Sequence, residues 1–141
     1  MLDLTPEQTS RLSNAPVGHL ATADASGRPH VIPVCFAYDG EYLYSVLDAK
    51  PKRSSLTGLR RVRNILENPQ VSLVIDHYDE DWSQLWYLLV HGRAELIEVA
   101  ETTDRAIALL RSKYPQYRRM PVDGNPVIRI TPERATGWAG S

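Results

Sequence analysis

Three arginines, Arg60, Arg61 and Arg63, lie on a short segment that ends at Asn68-Pro69 and leads into an apolar strand. A guanidinium group is a planar fork of donors that stays ionised at biological pH and matches phosphate oxygens in pairs. Proline ends the segment because it lacks the N–H that a helix needs. This pattern is typical of a short helix that binds a phosphate, although similar runs also occur on solvated helix faces.

Further cations precede this segment, at Lys50, Lys52 and Arg53. An apolar strand pair comes before them, so the basic residues follow a predicted sheet edge rather than a disordered tail. These neighbours bring the phosphate-binding interpretation level with that of a solvated surface.

Other catalytic chemistries have little support in the sequence. A triad drawn from Ser45, His30 and Asp48 lacks the glycines of a nucleophile elbow, and no glycine-rich nucleotide-binding motif follows a strand. The histidines lack the close spacing of a metal pair; they are His19, His30, His77 and His91. A bound cofactor that brings its own reactivity explains why the catalytic residues remain unknown.

Composition limits the class of protein. The 141 residues, 43% of them hydrophobic, are enough for one domain spanning 1–141. Sixteen basic and seventeen acidic residues give a net charge of -1, which disfavours nucleic acid and membrane partners. The lone Cys35 cannot form an intrachain disulfide, and no apolar run is long enough to span a bilayer. We therefore expect a cytoplasmic protein in which Cys35 is buried.

Turn and capping signals predict one helix and three strands in the first half of the chain. Thr5 is a predicted N-cap with Gln8 at the capping-box position, and the helix should end near Asn14. Asp39-Gly40 predicts a type I′ hairpin turn. The predicted strands are 17–23, 29–38 and 41–46.

The second half predicts two helices and further strands. The basic helix should cover 54–66, and a second helix with an apolar stripe should cover 100–114. Gly92 indicates a bulge in a long strand. The predicted strands are 71–76, 85–99, 127–130 and 135–138. Strands joined mostly by tight turns favour a small closed antiparallel barrel in an α+β chain.

The order of these motifs resembles that of the flavin-binding split barrels related to pyridoxamine 5′-phosphate oxidase, a family that includes deazaflavin (coenzyme F420) dependent reductases. The resemblance spans roughly Leu4 to Trp138. Its matching stretches are 18–22, 27–34, 36–45, 68–73 and 90–95. It implies an α+β, mainly antiparallel fold: a six-stranded split β-barrel of the FMN-binding, Greek-key type with flanking helices.

The resemblance also implies a homodimer with a cofactor at the subunit interface. Arg60 and Arg61 match the family's phosphate-binding residues, and the strand 30–34 matches the one that lies along the flavin ring. Trp86 and Tyr87 match a strand that approaches the partner's cofactor. The implied cofactor-binding residues are His30, Val31, Ile32, Pro33, Val34, Ser45, Lys50, Lys52, Arg53, Arg60, Arg61, Asn64, Trp86 and Tyr87.

Two departures from the family pattern bear on the choice of cofactor. Cys35 stands where the oxidase pattern has a basic residue, and an inserted segment, 46–58, brings Lys50, Lys52 and Arg53 as replacements. The oxidase's C-terminal Arg-x-His substrate grip is not evident. The inserted cations favour coenzyme F420, which carries a longer anionic tail, over FMN.

These observations support an oxidoreductase that transfers hydride to or from a small organic substrate. One alternative is a non-catalytic split barrel that binds or stores a flavin or haem. Another is a nucleic-acid-binding barrel that stacks bases on its aromatic residues, although the near-neutral charge argues against it.

Overall fold

A computed structural model describes residues 2–48 and 58–141. These residues form three helices, seven strands and two 3₁₀ turns, at Trp82–Gln84 and Pro115–Arg119. The elements are α1 (Pro6–Asn14), β1 (Gly18–Ala23), β2 (Pro29–Val34), β3 (Ala37–Tyr38), β4 (Leu43–Val46), α2 (Arg60–Glu67), β5 (Gln70–His77), β6 (Trp86–Ile97), α3 (Ala100–Lys113) and β7 (Val127–Ala139). No helix within the two described ranges is long and apolar enough to cross a membrane.

All seven strands belong to one antiparallel sheet, in the order β2-β1-β5-β6-β7-β4-β3. The strands at its two ends, β2 and β3, are separated in the chain only by Cys35 and Phe36. A flat sheet of this size would be about 29 Å wide, whereas so short a link spans only about 10 Å. The sheet must therefore curl until its edges meet, which confirms the predicted barrel.

This crossing corrects the prediction of one continuous strand over 29–38. The chain leaves the first sheet edge after Val34 and joins the opposite edge at Ala37, so the sheet has seven strands instead of six. Phe36 is buried at this seam, and its backbone finds partners on α3 instead of a strand. Its N–H donates to the Tyr114 hydroxyl at 3.1 Å, and its carbonyl accepts from Lys113 Nζ at 2.8 Å.

The predicted type I′ turn at Asp39-Gly40 is also wrong. Strands β3 and β4 pair Tyr38 with Leu43, which leaves a four-residue loop between them. Asp39 Oδ1 accepts from the backbone N–H groups of Glu41 and Tyr42 at 2.8 and 2.6 Å. Only Gly40 has a positive φ there, so the side chain of Asp39 and this single left-handed residue together shape the loop.

The helices agree with the local sequence signals. The capping box of α1 is present, because Thr5 Oγ1 accepts from Gln8 N–H and Gln8 Oε1 accepts from Thr5 N–H. Helix α3 agrees with its prediction to within one residue. Helix α2 begins at Arg60, after Gly58 in a 3₁₀ conformation and Leu59 in a bend, so its start differs from the predicted one. The predicted helical residues 54–57 lie outside the described range.

The bulge predicted at Gly92 lies on the neighbouring strand. His91 pairs with Arg134 and Gly92 with Pro132, which leaves Glu133 of β7 as the extra residue. The two pieces predicted over 127–138 are therefore one bulged strand. A Cβ at Gly92 would lie 2.4 Å from the carbonyl oxygen of Thr131, so this close approach requires glycine.

Two clusters of buried side chains stabilise the curled sheet. The larger fills the barrel between its strands, α1 and α2, with Leu12, Phe36, Leu73 and Leu88 among its most buried members. The smaller cluster joins α3 to β3, β4 and the start of β7 through its buried Ala106, Ile107 and Leu110. Both helices α2 and α3 are thereby held against the barrel.

Replacing Gly92 with alanine should destabilise the protein by about 1–3 kcal/mol, because the strand pair must move apart to admit a methyl group. Gly58→Ala is the matched control, since a Cβ there has open space, and we expect a change within about 0.5 kcal/mol. Urea unfolding followed by circular dichroism measures both free energies. Equal stability of the two variants would contradict the proposed reason for glycine at position 92.

Candidate functional site

The charge distribution of α2 is the reverse of what a helix favours. Arg60, Arg61 and Arg63 occupy its first turn without an acidic residue, and its N-cap Leu59 offers no side-chain hydrogen bond. The positive end of the helix dipole disfavours cations there, and the first backbone N–H groups need acceptors. An anion bound at this end would satisfy the amides and offset the local positive charge.

Arg61 is the arginine best placed to bind such an anion. Its side chain is half-buried, and its buried Nε has no hydrogen-bond partner. Burial lowers the pKa of Arg61, and the nearby Asp48 and Tyr117 act in the opposite direction. No salt bridge to another described residue neutralises this guanidinium.

Arg60 faces a different part of the molecule. Arg60 is exposed, and its charge acts on Asp24 in the β1–β2 turn, as Arg28 and Ser26 also do. Hydrogen bonding from the Arg28 backbone is the largest cause that lowers the pKa of Asp24, and the charge of Arg60 is a smaller one. Adjacent helical residues point about 100° apart, so Arg60 and Arg61 have different neighbours and do not form a parallel pair.

Asn64 and Ser45 are both buried. Asn64 is 1% exposed, and its Nδ2 donates to Thr22 Oγ1 at 3.0 Å, which joins α2 to β1. Near the other end of the helix, Glu67 Oε1 accepts from Ala25 N–H at 3.0 Å. Ser45 lies within β4, opposite Ile128. The two bonds from α2 fix the direction in which its N-terminus points.

Strand β2 lies at an edge of the sheet, where no described strand pairs with its second side. Its side chains alternate, so Val31 and Pro33 face outward whereas Ile32 and Val34 are less exposed. Pro29 and Pro33 have no N–H, so they should lie at the positions where β2 makes no hydrogen bond to β1. Val31 lies at the same kind of position between them, and its backbone N–H therefore points away from β1. The side chain of Val31 is 62% exposed.

The two aromatic residues predicted at the start of β6 have different surroundings. Trp86 contacts its own subunit, with the Arg11 guanidinium 4.6 Å from its ring centroid and the ring of His77 stacked at 6.4 Å. Tyr87 is 39% exposed and stacks on Trp138, which is 50% exposed, at 6.4 Å. Trp138 was not among the predicted site residues, because only the strand pairing reveals that it lies opposite Tyr87.

A cleft of about 420 Å³ lies on the outer face of β1, β5, β6 and β7. Ala21, Ala23 and Ser72 contribute small side chains to its lining, and Arg134 and the bulged Glu133 lie at its β7 side. His91 also lines it, with Nδ1 2.8 Å from Ser72 Oγ. The sequence signalled neither the Ser72–His91 pair nor the cleft, since both depend on strand register.

A polar cluster near the seam includes several residues that the sequence analysis missed. The Tyr117 hydroxyl donates to Asp48 Oδ2 at 2.7 Å, and burial together with this bond raises the pKa of Tyr117. The Tyr114 ring packs edge-on against Tyr117 at 5.7 Å, and Lys113 Nζ lies 5.1 Å from the Tyr114 ring centroid. The charges of Asp48 and Tyr117 also act on Arg61, so the cluster is coupled electrostatically to α2.

The remaining predicted phosphate ligands, Lys50, Lys52 and Arg53, lie outside the described residues. Asp48 and Gly58 are the last and first described residues on either side of them. Within the described part of the chain, no group of three or more His, Cys, Asp or Glu residues is arranged to hold a metal ion.

The sequence matches the family model of pyridoxamine 5′-phosphate oxidase over residues 4–139. The chain belongs to this family. It is 25% identical over 138 residues to a 5a,11a-dehydrotetracycline/5a,11a-dehydrooxytetracycline reductase of Streptomyces rimosus, a match that covers 97% of this chain and 84% of that protein.

Solved structures of similar fold support the same assignment. One described as an F420 reductase has a TM-score of 0.68 and 25% identity, covering 94% of this chain and 98% of that one. The heme storage protein HutZ of Vibrio cholerae has a TM-score of 0.71 and 22% identity, covering 96% of this chain and 94% of that one. These similarities confirm the split-barrel fold, which the curled seven-stranded sheet forms here.

Replacing Asn64 with alanine should lower the free energy of unfolding by about 1–3 kcal/mol, because the buried Thr22 hydroxyl loses its partner. Arg63→Ala on the same helix is the control, since Arg63 is exposed and its loss should cost less than about 0.5 kcal/mol. Urea unfolding compares the two variants. An Asn64→Ala protein as stable as the control would show that this bond does not fix α2.

Proposed function

We propose that the protein is an oxidoreductase that binds a flavin-type cofactor between two identical subunits and transfers hydride to or from a small organic substrate. The observation that carries this proposal is the N-terminus of α2, where uncapped amides meet a half-buried arginine whose Nε has no partner. These groups fit the phosphate of such a cofactor.

Arg61 and the first amides of α2 would bind the phosphate, and Arg60 would add to the local positive potential. Lys50, Lys52 and Arg53 belong to the intervening segment that would complete this site. Asn64 would act indirectly, because its bond to Thr22 holds the helix in place. Ser45 is buried beside this region and would support the strand from which the basic segment departs.

Strand β2 would hold the ring of the cofactor. The backbone N–H and carbonyl of Val31 are free to bond at the edge of the sheet. This donor and acceptor suit the pyrimidine edge of a flavin or deazaflavin. His30, Ile32, Pro33 and Val34 would shape the surface around that edge. The rigidity of a strand favours a reproducible ring position.

The partner subunit would close the site. Val31, Tyr87 and Trp138 are large apolar side chains left exposed on the outer surface, and such residues are common at subunit interfaces. In the dimer, Tyr87 and Trp138 would cover the partner's ring, with Trp86 supporting them from behind. This arrangement would exclude water from the reacting atoms.

The bound cofactor would supply the redox chemistry by accepting or donating a hydride at its ring. The protein's own residues would bind the phosphate, orient the ring and shape the substrate cavity. Among cofactors we favour F420 over FMN. The supporting observations are the similarity to an F420 reductase and the inserted basic segment.

Haem binding is the second candidate, in keeping with the fold shared with HutZ. The observation that favours it is His91 at the outer cleft. Its Nδ1 lies against Ser72, so Nε2 is the ring nitrogen that remains for an axial ligand.

Titration of the purified protein with F420, FMN and haemin distinguishes these functions. We expect saturable quenching of F420 or FMN fluorescence, and oxidation of the reduced cofactor when a conjugated enone or quinone is added. A Soret band that forms with haemin and is lost in His91→Ala, without flavin or deazaflavin binding, would favour the haem protein instead.

Arg61→Ala should weaken binding of the cofactor by about 1.5–3 kcal/mol, which corresponds to a roughly tenfold to 150-fold rise in Kd. The loss arises because a charged hydrogen bond to phosphate disappears from a partly buried site. Arg63→Ala removes an exposed charge from the same helix and should change Kd less than about twofold. Fluorescence titration measures both constants, and equal effects of the two substitutions would place the phosphate elsewhere.

A further inference from the structure

Lys113 is a half-buried cation without a carboxylate partner among the described residues. Its Nζ donates to the carbonyl of Phe36 at 2.8 Å and lies 4.0 Å from the centroid of the Phe36 ring. An ammonium group has three N–H donors. The hydrogen bond to the Phe36 carbonyl therefore uses one of these donors and does not neutralise the positive charge of Lys113.

The surroundings of Lys113 connect it to Arg61. Lys113 Nζ lies 5.1 Å from the centroid of the Tyr114 ring, and that ring packs edge-on against the ring of Tyr117 at 5.7 Å. The Tyr117 hydroxyl donates to Asp48 Oδ2 at 2.7 Å. Burial lowers the pKa of Arg61, and the charges of Asp48 and Tyr117 act on it in the opposite direction. Among the described residues, this cluster contains two half-buried cations and one carboxylate, so its net charge with all three ionised is positive.

A buried positive charge without a counter-ion is costly, and a bound anion relieves that cost. We propose that Lys113, reaching across the seam from the end of α3, binds the phosphate-bearing tail of the cofactor together with Arg61. This inference rests on the proposed function and assigns a new residue to the same site.

A purely structural role for Lys113 predicts something different. If Lys113 only bonds to Phe36 and places a favourable charge at the C-terminus of α3, its replacement should weaken the binding of all flavins equally. If Lys113 binds the phosphate, its replacement should weaken only the flavins that carry a phosphate. FMN and riboflavin share one ring and differ in the phosphate, so their comparison separates the two roles. F420 and its chromophore without the phosphate tail form a second such pair.

In the experiment, each pair is titrated with the wild type, Lys113→Met, Lys113→Arg and Arg119→Met. We expect Lys113→Met to raise Kd about tenfold or more for the phosphate-bearing ligand and to leave the phosphate-free ligand within about twofold. Lys113→Arg retains the charge and should restore most of the affinity. Arg119→Met removes an exposed cation from the neighbouring 3₁₀ turn and should have little effect.

The pH dependence gives a readout that a structural role does not predict. Burial lowers the pKa of Lys113 to about 8, with Cys35 acting in the opposite direction. Lys113 therefore loses its proton as pH rises through 8, and affinity for the phosphate-bearing ligand should fall between pH 7 and 9.5. Lys113→Arg should abolish this fall. Among the described residues, Cys35 and Tyr114 are the titratable groups that act on or contact Lys113, and Tyr117, Asp48 and Arg61 belong to the same cluster further away. A Cys35→Ser background removes the contribution of the thiol.

The outcomes separate this inference from the proposed function. If the wild type binds neither member of either pair, both are overturned. If the wild type binds these ligands, two results overturn only the assignment of Lys113. In one, Lys113→Met weakens the binding of phosphate-bearing and phosphate-free ligands equally; in the other, it weakens the binding of neither. Selective weakening that Lys113→Arg reverses supports the assignment.

Discussion

The fold depends on one covalent constraint, the two-residue link between strands at opposite edges of the sheet. Cys35 and Phe36 can connect β2 to β3 only if the sheet curls until those edges approach. Within the link, the backbone of Phe36 belongs to neither strand, and a buried backbone group without a partner is costly. Tyr114 and Lys113 provide its partners, so closure of the barrel requires the C-terminal end of α3 to lie at the seam.

Helix α2 is held in place by side chains other than its arginines. Asn64 bonds to Thr22 and Glu67 bonds to the backbone of Ala25, while the buried Val62 and Ile65 contribute to the core. These contacts stabilise the helix without any contribution from its three arginines. The first turn can therefore retain an unfavourable set of charges, a local conflict of the kind that proteins keep at binding sites.

The sequence predicted features that depend on neighbouring residues. The capping box at Thr5 and the extent of α3 are local signals, and the structure confirms them. The break after Val34 was not predictable from periodicity, because residues 29–38 remain apolar throughout and long-range closure forces the crossing. Glu133 of β7 forms the bulge because the backbone of β7 can approach Gly92 closely. The sequence of β7 alone shows no sign of this bulge.

The candidate site was predictable in its residue types and less so in its arrangement. The basic helix and the strand over 30–34 were predicted as site elements from the family resemblance, and their role stays a prediction. Arg60 and Arg61 were both predicted to bind the phosphate, and their different surroundings reflect successive helical positions that point in different directions. Lys113 lies roughly fifty residues further along the chain from Arg61, and only tertiary structure brings it to the cluster, through Tyr114, Tyr117 and Asp48.

The contrast between local and overall charge restricts the kind of anion that can bind. With a net charge of -1, the molecule has no long-range field to attract a polyanion, and at physiological salt exposed charges are screened within about 8 Å. Binding of the proposed anion must therefore depend on direct contact with the half-buried cations. Such a site suits a small ligand that carries one or two phosphates, because the whole charge fits inside the cluster. An extended nucleic acid would gain little from these few cations, because its binding depends on neutralising many phosphates along its length.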